Sequence, residues 1–404
     1  MSDHTDQSLT FPIIRNACPF APPEQYASLR SERPAARIAF PDGTTAWLLT
    51  RHSDVRKVLA DPRVSNDRQH PGFPEYVPGL KEASRRMKGG LLAMDPPEHS
   101  IYRSLLTREF TLRRIRSLRP RIQQIVDHCI DSMLASPTRH ADLVTTLSLP
   151  VPSLTICELL GVPYHDRELF QQRTMTFMER TSTQEERARA IGEIRDYLYD
   201  LVAIQAARPQ DTLISRMAAR AREQGIYDPG ILGGLATLLL IAGFETTANM
   251  ISLGVAALLK EPGQRAALTA DAALMPKGVE ELLRYFSVSD QITCRVALHD
   301  IEIAGIRIRA GEGIVASTAA ANHDPEIFSD PHTLDLHREP HGHLAFGFGI
   351  HQCIGHNLAR LELDIVYSTL FARIPTLRTA RPVEDLPFKK DSLIYGIHSM
   401  DVTW

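Results

Sequence analysis

Phe346-Gly347-Phe348-Gly349-Ile350-His351-Gln352-Cys353-Ile354-Gly355 is the stretch on which the fold of this chain turns. Its glycines permit tight backbone turns ahead of the cysteine, and apolar residues at helical spacing follow from Ile354 to Ile374. The cysteine therefore falls at a helix start. Backbone N–H groups and the helix dipole there favour an anionic sulfur, lowering its pKa and preparing it to ligate a metal. A lone cysteine is more often a small buried hydrophobe. Glycines crowded around this one argue for chemistry instead.

Upstream, Ile241-Ala242-Gly243-Phe244-Glu245-Thr246-Thr247 lies in a predicted helix from Pro229 to Lys260 that is apolar on every face and so should run buried through the centre. A carboxyl group there is costly unless it is paired or shifts its pKa, and Gly243 costs about 0.5–1 kcal/mol relative to Ala. An ion pair for Glu245 and a hydroxyl bonded back to the preceding turn for Thr246 are as well supported as a catalytic pair at this point. Glu281-Leu282-Leu283-Arg284 sets acid and base three apart on one helical face, ordinarily a surface pair. Asp95-Pro96-Pro97-Glu98-His99-Ser100-Ile101-Tyr102-Arg103 forms a turn into a helix, with His99 and Arg103 one turn apart on one face.

Composition excludes several classes. The 404 residues carry 45 Lys+Arg against 48 Asp+Glu and are 43% hydrophobic, a globular balance with no sequence-wide pull toward nucleic acid. The polar, acidic start Met1-Ser2-Asp3-His4 is unlike a secretory signal. The longest apolar run, Ile231 to Gly243, falls short of the roughly 20 residues a bilayer requires, so no membrane anchor is expected. Cys18, Cys129, Cys157, Cys294 and Cys353 are odd in number and scattered, with no CxxC pair, which suggests neither a disulfide framework nor a zinc site and suits a reducing cytoplasm.

No repeat or linker interrupts residues 1–404, which points to one domain. Strands are predicted at Ala36 to Phe40, Thr45 to Thr50, and within Thr293 to Ile308, which Gly305 breaks. Helices are predicted at Ser53 to Ala60, Glu98 to Phe110, Ile115 to Ala135, Thr145 to Leu160, Glu185 to Ala207, Asp211 to Gln224, Gln264 to Asp271 and Lys277 to Phe286, besides the two above. Residues 66–90, punctuated by Pro and Gly, form a long aperiodic stretch suited to a substrate loop.

Taken in order, these motifs resemble those of the cytochrome P-450 monooxygenases, most of all the soluble bacterial class with its actinobacterial members, from Cys18-Pro19-Phe20 to the helix after Cys353. The resemblance implies a mainly α fold with a minor β region (α+β), a single helix-rich domain with haem b between the central helix and the cysteine-loop helix. It implies that Cys353 is the axial thiolate ligand of the iron and that Glu245 and Thr246 form an acid–alcohol pair delivering protons for O2 activation. His99, Arg103, Arg295 and His351 would contact the haem propionates. Glu281 and Arg284, joined by Arg338, would form a structural network beneath the ring.

Arg103, Arg108, Arg113, Arg114, Arg116, Arg119 and Arg121, with Glu109 the only acid among them, make a local basic patch. A solvated face is the ordinary explanation. The resemblance implies a docking face for ferredoxin, supplied in turn by an NAD(P)H-dependent ferredoxin reductase, since no room remains for a flavin domain. Hydroxylation of a mostly apolar small molecule is expected: a macrolide, polyene or terpenoid, as in antibiotic biosynthesis, or a xenobiotic. Selectivity should lie in residues 66–90, in residues 165–207 and after Arg284, with Phe73, Tyr76, Val77, Met175, Phe177 and Met178 as candidate contacts. A peroxide-driven haem-thiolate enzyme, a haem sensor or carrier, and a helical protein without haem are the competing readings.

Overall fold

The computed structural model describes residues 9–40, 42–76, 80–86, 88–178, 183–339, 341–390 and 392–404, with the side chains of a few helical residues outside that set. Its axis is the helix Pro229–Lys260. Asp228 caps it, accepting the backbone N–H groups of Gly230 and Ile231 at 2.7 and 3.2 Å, and Pro229 takes the first-turn position where a missing N–H costs nothing. Pro262 follows the end, where the helix cannot continue. By length and composition it could cross a bilayer, but much of its apolar surface is taken up inside the protein. Helices Pro150–Leu160, Gln184–Ala207 and His356–Arg373 pack around it. The last contact is close: a methyl group on Gly254 would lie 2.1 Å from the Tyr367 hydroxyl, which donates to the Met250 carbonyl at 2.6 Å. This pins the cysteine helix against the central one.

A six-stranded mixed sheet lies to one side, in the order Leu9–Thr10, Ala35–Ala39, Thr45–Leu49, Gly313–Ala316, Cys294–Ala297, Val64–Ser65. Its alternating residues feed two smaller apolar clusters beside the main helical core. Three antiparallel strands (Arg378–Thr379, Asp401–Thr403, His140–Asp142) and the hairpin Ile301–Ile303/Ile306–Ile308, turning at Gly305 as expected, complete the minor β region.

Several predicted elements need correction. The helix expected from Ile115 to Ala135 is two, Leu112–Ser117 and Arg119–Leu134, because Pro120 has no N–H to continue the first. The segment from Thr145 opens as a π-turn, Val144–Ser148, before the helix beginning at Pro150. Short helices at Gln25–Glu32, Leu80–Arg86 and Thr318–Asn322 carry too few apolar repeats to show a period. Arg167–Met178, within the stretch expected to contribute to selectivity, is also helical.

Candidate active site

Between the central helix and the cysteine loop lies a cavity of about 1710 Å³, counting its open mouth. Ala242, Gly243, Thr246, Thr247 and Met250 of the central helix form one wall, and Phe346 to Phe348 with His351 to Gly355 the other. Of the five cysteines only Cys353 lines it. Cys294 is walled into the sheet, and Cys129 and Cys157 into the helical core; burial pushes all three thiols up to about 12.

Cys353 is held by its own loop. Its N–H donates to the Phe346 carbonyl at 2.9 Å, and Gly347 and Gly349 adopt left-handed backbone, φ +68° and +75°. A methyl group on Gly349 would sit 2.3 Å from the Leu59 carbonyl oxygen, so the loop packs where a side chain cannot fit. The Cys353 side chain opens onto the cavity but is otherwise enclosed by protein. Here the sequence expectation is reversed. Burial raises the thiol pKa and outweighs the lowering pull of the Gly355 N–H, Arg103 and Arg360. A thiolate at this place calls for a cation opposite it.

The four expected propionate ligands converge. His99 and His351 rings stand 4.3 Å apart, and both nitrogens of His99 and Nε2 of His351 are buried without a partner. Arg103 Nη2 donates to the Gln352 carbonyl at 2.6 Å, tying the Glu98–Thr107 helix to the cysteine loop. Arg295 is 7% exposed; its Nη1 donates to Asn66 Oδ1 at 3.0 Å, and Asp95 in turn accepts the Asn66 N–H at 3.0 Å. Burial, then Arg295, His99 and Arg103, press His351 down to about 3; burial and Arg103 lower His99. The one carboxyl group among the lining residues, Glu362, is pushed up to about 8 by burial and is largely protonated at neutral pH. So among the described lining residues the site gathers buried donors and cations with no ionised carboxylate, and Asp95, whose charge reaches His99 and Arg295, lies outside the lining, bonded to Ser65 and Asn66. That is the environment two propionates require, and it fits haem.

Glu245 and Thr246 do not meet. Thr246 lines the cavity, with Oγ1 donating back to the Ala242 carbonyl at 2.8 Å, whereas Glu245 is not among the lining residues and faces Lys389 Nζ at 3.4 Å. The alternatives open from the sequence, a back-bonded hydroxyl and an ion pair, are both present. Lys389 and Glu362 carried no sequence signal, and Arg68 was covered only as part of the 66–90 stretch; Arg68 and Glu362 line the cavity.

Glu281 and Arg284 are not a surface pair: each is 1% exposed, joined by two hydrogen bonds of 2.7 and 2.8 Å. Arg338 completes the triad, its Nε 3.1 Å from Glu281 Oε1.

The basic patch is narrower than its sequence implies. Arg114 pairs with Asp211, Arg119 with Asp364 and Arg121 with Glu158, while Arg103 turns to the cavity. Glu109 is buried between Arg216 and Arg220. Arg108, Arg113 and Arg116 remain exposed with no acidic partner among the described residues. Of the candidate selectivity residues, Phe73 and Tyr76 line the cavity, Val77 lies outside the described residues, and so do the side chains of Met175, Phe177 and Met178.

Comparison with known proteins agrees with this geometry. Residues 265–375 match the family described as Cytochrome P450. The chain is 45% identical to pentalenic acid synthase of Streptomyces avermitilis, covering 98% of this chain and 97% of that one. To the vitamin D3 dihydroxylase of Streptomyces griseolus it is 44% identical over 99% of this chain and 98% of that one. The crystal structure of cytochrome P450 MoxA from Nonomuraea recticatena superposes with a TM-score of 0.95 at 51% identity, covering 98% of each chain. Loop, cavity, helical frame and full-length likeness lead to one conclusion: the chain belongs to the cytochrome P450 monooxygenases, which carry haem with a cysteine thiolate as axial ligand.

Proposed function

We propose that this monooxygenase hydroxylates a C–H bond of a mostly apolar small molecule, a secondary metabolite or a xenobiotic, with electrons from a ferredoxin and its NAD(P)H-dependent reductase, in the cytoplasm. The observation that carries the reading is the pairing of Cys353, alone among the cysteines in opening onto the cavity, with the anion-seeking cluster beside it. Haem, when bound, supplies the redox chemistry that activates dioxygen. The chain's residues do the rest. Cys353 Sγ would ligate the iron, its position fixed by the N–H bond to the Phe346 carbonyl and the Gly349–Leu59 contact. Arg103 and Arg295, with the N–H groups of His99 and His351, would hold the two propionates. Thr246 Oγ1 presents its hydroxyl to the cavity, and Glu245 resupplies protons once its carboxyl group leaves Lys389. Leu238, Leu239, Val288 and Ile292 exclude water around the substrate. Arg108, Arg113 and Arg116 remain to steer an acidic electron donor.

The test is the absorption spectrum of the dithionite-reduced, carbon monoxide-bound protein beside that of Cys353→Ala. A strongly red-shifted Soret band lost in the variant is the expected result. A spectrum typical of histidine-ligated haem in the wild type would remove Cys353 from its role. Product formation with ferredoxin, reductase and NAD(P)H, without added peroxide, then separates this reading from a peroxide-driven one.

A further inference from the structure

The cavity holds a cation that the proposed function does not use. Arg103 and Arg295 already match the two propionates in charge, and the imidazoles of His99 and His351 add neutral donors at the same place. Arg68 is a third cation in the same lining. It lines the cavity from the segment that also carries Phe73 and Tyr76, its Nε is shut away from solvent without a partner, and it makes no ion pair among the described residues. Its field acts on Tyr76, Cys294 and Arg295, while those acting on His351 come from Arg295, His99 and Arg103 and those on His99 from Arg103 and Asp95. Arg68 thus neighbours Tyr76 and Arg295, and neither imidazole is among the groups on which its charge is felt. Tyr76 lines the same cavity, with no hydrogen-bond partner for its hydroxyl among the described residues. Phe73, Leu91 and Leu92 add apolar surface to the same lining.

We propose that Arg68, together with the Tyr76 hydroxyl, binds a carboxylate carried by an otherwise apolar substrate. This rests on the reading of the cavity as the oxidation site. A guanidinium offers a carboxylate two parallel N–H donors, and a phenol O–H beside it supplies a third. Away from water such a contact gains strength, and a cation left there without an anion is costly, so the subsite selects acids over neutral molecules of the same shape. Anchoring the carboxylate at this wall directs the apolar remainder along Phe73 and Val288 toward Thr246 and Cys353.

The experiment is calorimetric titration of the haem-loaded protein with dodecanoate and with methyl dodecanoate, which share a chain and differ in charge. The acid is expected to bind at least about tenfold tighter, the ratio that a charge-assisted hydrogen bond confers. Arg68→Gln should abolish that preference with little effect on the ester, Arg68→Lys should retain part of it, and Tyr76→Phe should weaken the acid alone. Equal binding of acid and ester by the wild type, or a preference that survives Arg68→Gln, would overturn the proposal. So would faster haem transfer from Arg68→Gln to apomyoglobin with the acid preference intact, which places Arg68 among the propionate ligands. The reduced, carbon monoxide-bound spectrum is taken on each sample. Its failure in the wild type counts against the monooxygenase reading, whereas equal binding by a protein with the expected spectrum counts only against the subsite.

Discussion

The Glu245 carboxylate is held 3.4 Å from Lys389 Nζ, off the cavity that its neighbour Thr246 lines. Adjacent residues on a helix point about 100° apart, so the two side chains act on one site only if Glu245 leaves its partner. Glu245→Gln should therefore lower product formation by about 10²-fold, the lower range for a positioned proton donor. Haem content and melting temperature should stay close to wild type, because the ion pair is partly exposed. Product measured per NAD(P)H consumed checks this. A fall in melting temperature with unchanged turnover would make the pair structural only.

Glu281 and Arg284 make the opposite case, a pair that holds the fold. Both are buried and satisfied, with further Arg284 bonds to the carbonyls of Asn322 and Pro331 at 2.8 and 2.9 Å. Removing one partner leaves an uncompensated charge in the core, so Glu281→Ala should cost about 3–5 kcal/mol. Chemical denaturation of the variant measures it, and haem should be lost at lower denaturant than in wild type.

Glu280 carries a pH dependence. Burial alone would raise its pKa, but Arg360, which hydrogen-bonds to it, and His343, at 2.8 Å, outweigh burial and set it at about 2, below the ordinary 4.5. A carboxyl group with a depressed folded-state pKa contributes stability that is complete above the unfolded value and disappears as pH falls through the folded one. Wild type should thus lose on the order of 2–3 kcal/mol more than Glu280→Gln between pH 5 and pH 2.5. Denaturant unfolding of both proteins across that range checks the sign; parallel curves would show that Glu280 contributes nothing.

Gly349→Ala tests the cysteine loop. The added methyl group meets the Leu59 carbonyl oxygen at 2.3 Å, and the left-handed φ of +75° costs a further ~1–2 kcal/mol for an L residue. The loop must shift, so reduced haem occupancy and a weakened thiolate-type carbon monoxide spectrum are expected. Full occupancy with an unaltered spectrum would show that the loop tolerates the displacement.

The chain alone determined features that depend on local order. The cysteine loop is visible because glycines and the cysteine are close neighbours and the central helix because it is apolar on every face, whereas the Arg338 contact, 57 positions from Glu281, was reachable only through the resemblance of the motif series. Features set by distant residues were hidden. Lys389 reaches Glu245 across 144 positions, His99 meets His351 only when the helix Glu98–Thr107 docks on the cysteine loop, and the basic patch narrows because acids as far off as Asp364 close on its arginines. The Cys353 pKa is the clearest case. A helix start argues for lowering it, but desolvation depends on every atom packed around the sulfur, and that total is decided by the tertiary structure.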